Sequence, residues 1–231
     1  MRAGGARTGL VKAAFYVYII NMGQNDNSVN IEETLKNRAS YHHGDLRPAL
    51  IVAGLAALDS QQSADMLSLR ALARETGVSA TAVYRHFPDK AALLTALSLA
   101  GLDAMAAAQD VAASAAGAGG ARARFCASGA AYVRFALAHP ALFRLMWRQD
   151  VACDPLAQPI EANHPAMAAL RRGIDALLPD AAGLAERRAA ALAAWALVHG
   201  LSMLALDGQI NLADSEIDAV VAGHFDRQMR G

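Results

Sequence analysis

The segment SLRALARETGVSATAVYRHF, Ser68 to Phe87, constrains the chain most. Ser68 can cap a helix over Leu69–Thr76 that Gly77 stops, and Ser79 can cap another from Ala80 to about His86. Helices this short are marginal alone, so neighbours must hold both. Gly77-Val78 leaves almost no linker, and glycine takes up the left-handed turn at little steric cost. Ala73 is small where the two helices would cross. Val78 and Val83, beside Leu69, Leu72 and Phe87, can plug the angle from within. The arrangement is a helix-turn-helix.

At 100° per residue, Val83 and Phe87 share the inner face of the third helix, and Ala80, Thr81, Tyr84 and Arg85 point largely outward. Ala80 and Ala82 allow close approach to a groove and contact with thymine methyls. Thr81 can donate or accept, and Arg85 can reach guanine or phosphate. Tyr84, His86 and Lys90 suit phosphate, which positions a protein without specifying a sequence. Lys90 also stands with the amides after Asp89 at a helix N-terminus, a natural anion site. From spacing alone, the exposed polar face of a core helix is the competing reading.

Helical periodicity recurs along the chain and strand signals are nearly absent, which gives an all-α fold. The expected helices run from an Asp45 cap to about Leu58, over the two just described, and from Lys90 to about Gln109 after an Asp89 cap. Beyond GAGG at 117–120 they cover Ala121–Ala138, Ala141–Gln149, Pro165–Leu178, Leu184–Leu206 and Ser215–Arg230. Residues 1–38 read as a poorly ordered tail, 39–100 as a three-helix DNA-binding domain and 101–231 as a second helical domain. The boundary lies inside the long fourth helix. Asp150–His164 is the longest loop expected. The apolar run Ala13–Ile20 is too short to span a bilayer and lacks a cleavage pattern after it. Ala189–Leu206 reads as a buried or interface helix rather than a membrane span.

Formal net charge is zero, so any nucleic-acid footprint must be local. From Arg38 to Lys90, six basic residues stand against five acidic ones, which is weak support. Cys126 and Cys153 form no disulfide framework and fit a reducing, cytoplasmic setting. The seven histidines show no zinc-like spacing, and no phosphate loop or nucleophile elbow appears. Neither an enzyme nor a metal or cofactor is expected.

LRALARETGVSATAVYRHFPDKAALLTAL resembles the DNA-binding domain of TetR-type transcriptional regulators, with Tyr84 to Pro88 followed by Lys90 the most characteristic part. YHHGDLRPALIVAGLAAL is similar to that family's first helix and its preceding arm. HPALFRLMW, with Trp195 and His199-Gly200, resembles a C-terminal subgroup named for a Trp-His-Gly signature. The resemblance implies a homodimer that reads a palindromic double-stranded DNA operator and answers to a small-molecule effector. Carried over by position, the DNA contacts are Ser68 and Arg70, then Ala80, Thr81, Ala82, Tyr84, Arg85 and His86, then Lys90. Tyr41 and His43 are placed against phosphate ahead of the first helix.

In the second half, Phe125, Tyr132, Trp195, His199 and Met203 fall on helical faces, and Met146 and Trp147 add soft and aromatic surface. They fit an apolar ligand pocket with Tyr132 or His199 as the polar group, or an ordinary core. Alanine-rich Leu184–Leu206 and the stripe Ile217, Val220, Val221, Phe225 and Met229 read as a dimer surface that would build a four-helix bundle. Packing within one chain is the alternative. A helical hydrophobe or lipid carrier without DNA binding would explain the apolar half but leave Ser79–Lys90 without a use.

Overall fold

The structure is a computed structural model and describes residues 46–61, 63–147 and 165–228. Tyr41, His43, the tail over 1–38 and the loop Asp150–His164 lie outside the described residues. Among the described residues every regular element is helical: α1 (Leu46–Gln61), α2 (Leu69–Glu75), α3 (Ala80–His86), α4 (Lys90–Ala115), α5 (Gly120–Ala138), α6 (Pro140–Met146), α7 (Pro165–Asp175), α8 (Leu184–Leu206) and α9 (Asp214–Gln228). Short 3₁₀ turns occupy Ala64–Met66 and Gly117–Gly119.

Side-chain caps set the starts of α2, α3 and α4. The Ala71, Ala82 and Ala92 amides donate to Ser68 Oγ, Ser79 Oγ and Asp89 Oδ1 at 3.4, 3.2 and 2.8 Å. Gly77, at φ +71°, makes the turn between α2 and α3. The fourth helix was expected to stop near Gln109. It continues to Ala115, because an alanine-rich run is the best helix former available. The sixth begins at Pro140 and closes at Met146, with proline in the first turn where its missing N–H does no harm. The seventh leaves the α-helix at Asp175, and the Leu177 and Leu178 amides turn back on the Ile174 carbonyl ahead of Pro179.

One apolar core runs through the molecule. Leu50, Leu58, Val83, Phe87, Leu93 and Leu97 fill the first part, and Met105, Phe135, Leu142, Phe143 and Met146 the second. Every residue from Ala130 to Ala136 is buried, so α5 is the central helix and is covered all round. That burial includes Arg134, which is paired as a buried charge must be. Its guanidinium donates to Asp214 Oδ1 at 2.8 Å and to both Asp218 carboxylate oxygens at 3.0 and 2.8 Å, which clasps α9 to α5. Ile217 and Val221 of the expected dimer stripe are also buried within the chain, while Val220 stays exposed. Nothing is described for the Phe225 side chain or for Met229.

Candidate nucleic-acid interface and effector cavity

Helix α3 has seven residues and is fixed from three sides. Beneath it, Val83 and Phe87 are fully buried. Ser79 caps its start. At its end Arg47 of α1 donates to the His86 carbonyl at 3.2 Å, with its guanidinium carbon 4.7 Å from the Phe87 ring centre. The opposite face is free: Ala80, Thr81, Tyr84 and Arg85 are exposed, and Ala82 and His86 are half-buried. Sequence reasoning missed Arg47, which lies 39 positions before its partner and carries no local motif.

Ser68, Arg70, Tyr84 and Lys90 come together around an open groove of about 430 Å³ between the starts of α2 and α4. Lys90 Nζ donates to the Asp65 carbonyl at 2.6 Å, which ties the Ala64–Met66 turn to the start of α4. An ammonium has three donors, so this bond leaves two for an anion in the groove. Arg70 and Lys90 supply positive charge there, and Asp89 partly offsets it.

A second cavity, of about 40 Å³, lies between α4, α5, α7 and α8. Phe125, Met167, Leu170, Ala194 and Val198 form its apolar wall, and Gln109, Ser128, Tyr132 and Trp195 its polar one. Met167 and Leu170 come from α7, where Gly173 lets the Phe125 ring lie directly against the helix backbone. Of the expected pocket residues, Phe125, Tyr132 and Trp195 line this cavity. Trp147 and His199 join Tyr132, Phe143 and Trp195 in an adjoining aromatic cluster with ring centres 5.3 to 6.5 Å apart. Met146 is packed in the core and Met203 lies half-buried against it. Gln109, Met167 and Leu170 were not anticipated, since α4 and α7 carried no pocket signal of their own, and Ser128, Ala194 and Val198 lie on α5 and α8 beside the residues that were expected.

The polar atoms of the cluster form a chain. Burial holds the Tyr132 hydroxyl far above the usual phenol range, so it stays protonated. Partial burial pushes the His199 imidazole below its ordinary value and favours the neutral ring. Trp195 Nε1 donates to the Tyr132 oxygen at 3.4 Å, and that oxygen lies 2.9 Å from His199 Nδ1, within hydrogen-bond distance. With the imidazole proton on Nε2 the Tyr132 hydroxyl donates to Nδ1, and with it on Nδ1 the ring donates to the Tyr132 oxygen.

Helix α6 joins this region to the first three helices. Phe143 packs edge-on to Tyr132 at 5.6 Å. Ser98 of α4 donates to the Leu145 carbonyl at 3.4 Å, and His139, at the head of α6, meets Asp59 of α1. Gly101 leaves room for Leu142 and Met146 where α6 crosses α4.

The model of bacterial regulatory proteins of the tetR family matches residues 51–97, and that of the tetracyclin repressor-like C-terminal domain matches residues 125–228. No curated protein matches the chain. A structure of a protein with unknown function from Rhodococcus sp. RHA1 is 39% identical, with 84% of this chain and 98% of that one covered and a TM-score of 0.66. The TetR Q116A variant from Acinetobacter baumannii AYE, crystallised in complex with minocycline, is 20% identical over 82% of this chain and 98% of its own, with a TM-score of 0.48.

Proposed function

The chain belongs to the TetR family of DNA-binding bacterial regulatory proteins, and we propose that it is a cytoplasmic, non-enzymatic repressor that binds a palindromic operator as a homodimer and is released by a small, largely apolar effector. The observation that carries the reading is the exposed polar face of α3 beside the groove of Ser68, Arg70, Tyr84 and Lys90. In this reading Ala80, Thr81, Ala82 and Arg85 meet base edges, while Tyr84, His86 and the groove residues hold phosphate. Tyr41 and His43 extend the phosphate contacts ahead of α1. Trp195, His199 and Gly200 support placing the C-terminal half in the Trp-His-Gly subgroup.

One short reading helix gives little affinity, and a two-fold pair reads half-sites roughly 34–36 Å apart. Ala189, Leu192 and Ala196 leave one side of α8 exposed and apolar, and Val220 adds to it from α9. Both α4 and α8 are long and apolar enough to cross a membrane, but α4 is mostly core, and a partner subunit accounts for the uncovered side of α8. The domain division falls in α4, near residue 100. This helix carries Lys90 at the groove and Gln109 at the cavity, about 28 Å apart at 1.5 Å per residue. An effector that prefers a wider cavity would shift the population away from the DNA-binding spacing by its difference in affinity for the two states.

The test is binding of the purified protein to its own upstream DNA across a salt series, beside Tyr84→Ala and Lys90→Ala variants. Saturable, salt-sensitive binding at a palindrome, weakened in both variants and with a shallower salt slope for Lys90→Ala, is expected. Specific binding that is unchanged in the variants would overturn the site.

A further inference from the structure

Within the effector reading just proposed, on which this step rests, the cavity also constrains the chemistry of its ligand. Gln109 lines it from α4. Its Nε2 donates to the Ser128 carbonyl of α5 at 3.4 Å. A carbonyl can only accept, so this bond fixes which end of the amide is nitrogen. The other end, Oε1, is buried and accepts no hydrogen bond. A buried acceptor left unmade is destabilising, and a fold that retains one needs a reason.

The other polar side chains of the wall do not supply a donor to it. Trp195 gives its N–H to Tyr132, the Tyr132 oxygen is hydrogen-bonded to His199 Nδ1, and neither Tyr132 nor Ser128 makes a bond to Oε1. None of the residues lining the cavity carries a charge. A charged ligand would therefore be desolvated here without a counter-charge.

We infer that the effector is a neutral, mainly apolar small molecule carrying a hydroxyl or N–H donor, which Gln109 Oε1 accepts while Phe125, Met167, Leu170 and Val198 enclose the apolar part. The present volume of about 40 Å³ holds only a few waters, against roughly 300 Å³ or more for a typical small-molecule pocket. The ligand must therefore widen the space between α4, α5, α7 and α8. The donor it brings satisfies an atom on α4, the helix that ends in the DNA-facing groove.

The test uses three probes of nearly equal shape: p-cresol, which has a donor, 4-methylanisole, which has the oxygen without the proton, and p-xylene, which has neither. Calorimetric titration of the full chain should give p-cresol about tenfold tighter binding than the other two, and Gln109→Leu should level the three. A second readout needs no ligand. Gln109→Leu gives up one long hydrogen bond to the Ser128 carbonyl and replaces the unmade acceptor with an apolar group of similar size, so its unfolding midpoint should equal or exceed that of the parent, whereas an amide serving only structure would lower it. Equal binding of the three probes, or a preference that survives in Gln109→Leu, would overturn the donor assignment and leave the effector cavity standing. Binding of none would overturn the cavity as a receiver of such ligands, and the operator experiment would still decide DNA binding separately.

Discussion

His139 Nδ1 lies 3.2 Å from both carboxylate oxygens of Asp59 and ties the head of α6 to α1. The imidazole is fully buried and the carboxylate only partly so. The two residues are 80 positions apart, so the contact adds a polar link between distant parts of the chain that the shared apolar core already brings together.

Asp59→Ala removes a carboxylate acceptor and leaves a buried ring nitrogen without it. The loss should be about 1–3 kcal/mol, the usual range for stranding a buried polar group. Urea unfolding measures it. If α6 transmits the effector state, this variant should also show a smaller effector-induced change in operator affinity. A stability unchanged within 0.5 kcal/mol would show that the contact contributes nothing of note.

The Arg134 clasp makes a second energetic prediction. Arg134→Met keeps apolar bulk on α5 but leaves Asp214 and Asp218 without their cation. Breaking a fully buried pair costs about 3–5 kcal/mol. Asp218 is half-exposed and rehydrates readily, so about 2 kcal/mol is expected here. Because α9 is held to α5 by this clasp, hydrogen exchange in α9 should accelerate before that in α4. Uniform acceleration across the chain would contradict a local role.

Acid sensitivity follows from His199. Its folded value lies below the ordinary histidine value of about 6.5 because partial burial disfavours the charged ring. As pH falls below that ordinary value the unfolded chain takes up a proton that the folded chain does not, so stability drops. The drop is complete once pH is below the folded value. Protonation would also make Nδ1 a donor toward the Tyr132 oxygen. Unfolding free energies at pH 7.5 and 5.5 should therefore differ less in His199→Gln than in the parent. An equal difference would remove His199 as a cause.

The uncovered side of α8 gives a prediction about assembly. Leu192 is 41% exposed, among small alanines that permit close helix approach. Leu192→Glu should leave the monomer's core intact and shift the chain from dimer to monomer in sedimentation. Operator affinity should fall with it, because the half-sites would no longer be read together. A dimer that survives the substitution would place the interface elsewhere.

Much of the reading head was legible in the sequence because its determinants are local. Caps at Ser68, Ser79 and Asp89, the glycine turn at Gly77 and the i, i+4 pair Val83 and Phe87 all act within a few residues. The cavity was less legible. Tyr132 and His199 could be placed on helical faces, but the contribution of Gln109 depends on how α4 crosses α5, and periodicity does not encode a crossing. The stripe on α9 shows the same limit: Ile217 and Val221 are amphipathic whether they face a partner or their own chain, and packing against α5 decided it. Long-range polar contacts such as Arg134 with Asp218, 84 positions apart, have no sequence signature at all.

Arg47 shows how one such contact bears on function. It sits on α1 and holds the last turn of α3 through the His86 carbonyl, where a cation also complements the negative end of the helix. Arg47→Met retains most of the stem over Phe87 but removes the donor. The capping loss alone should be about 0.5–1.5 kcal/mol, too little to unfold the chain. Its effect should appear instead in α3, whose seven residues have little cohesion of their own. Operator affinity should fall several-fold, and faster hydrogen exchange should be confined to the end of α3. The competing origin of a lost affinity is a direct Arg47–phosphate contact, which would reduce the salt slope by about 1. An unchanged slope with frayed α3 amides supports the capping role. A reduced slope with α3 protection intact would assign Arg47 to the DNA backbone instead.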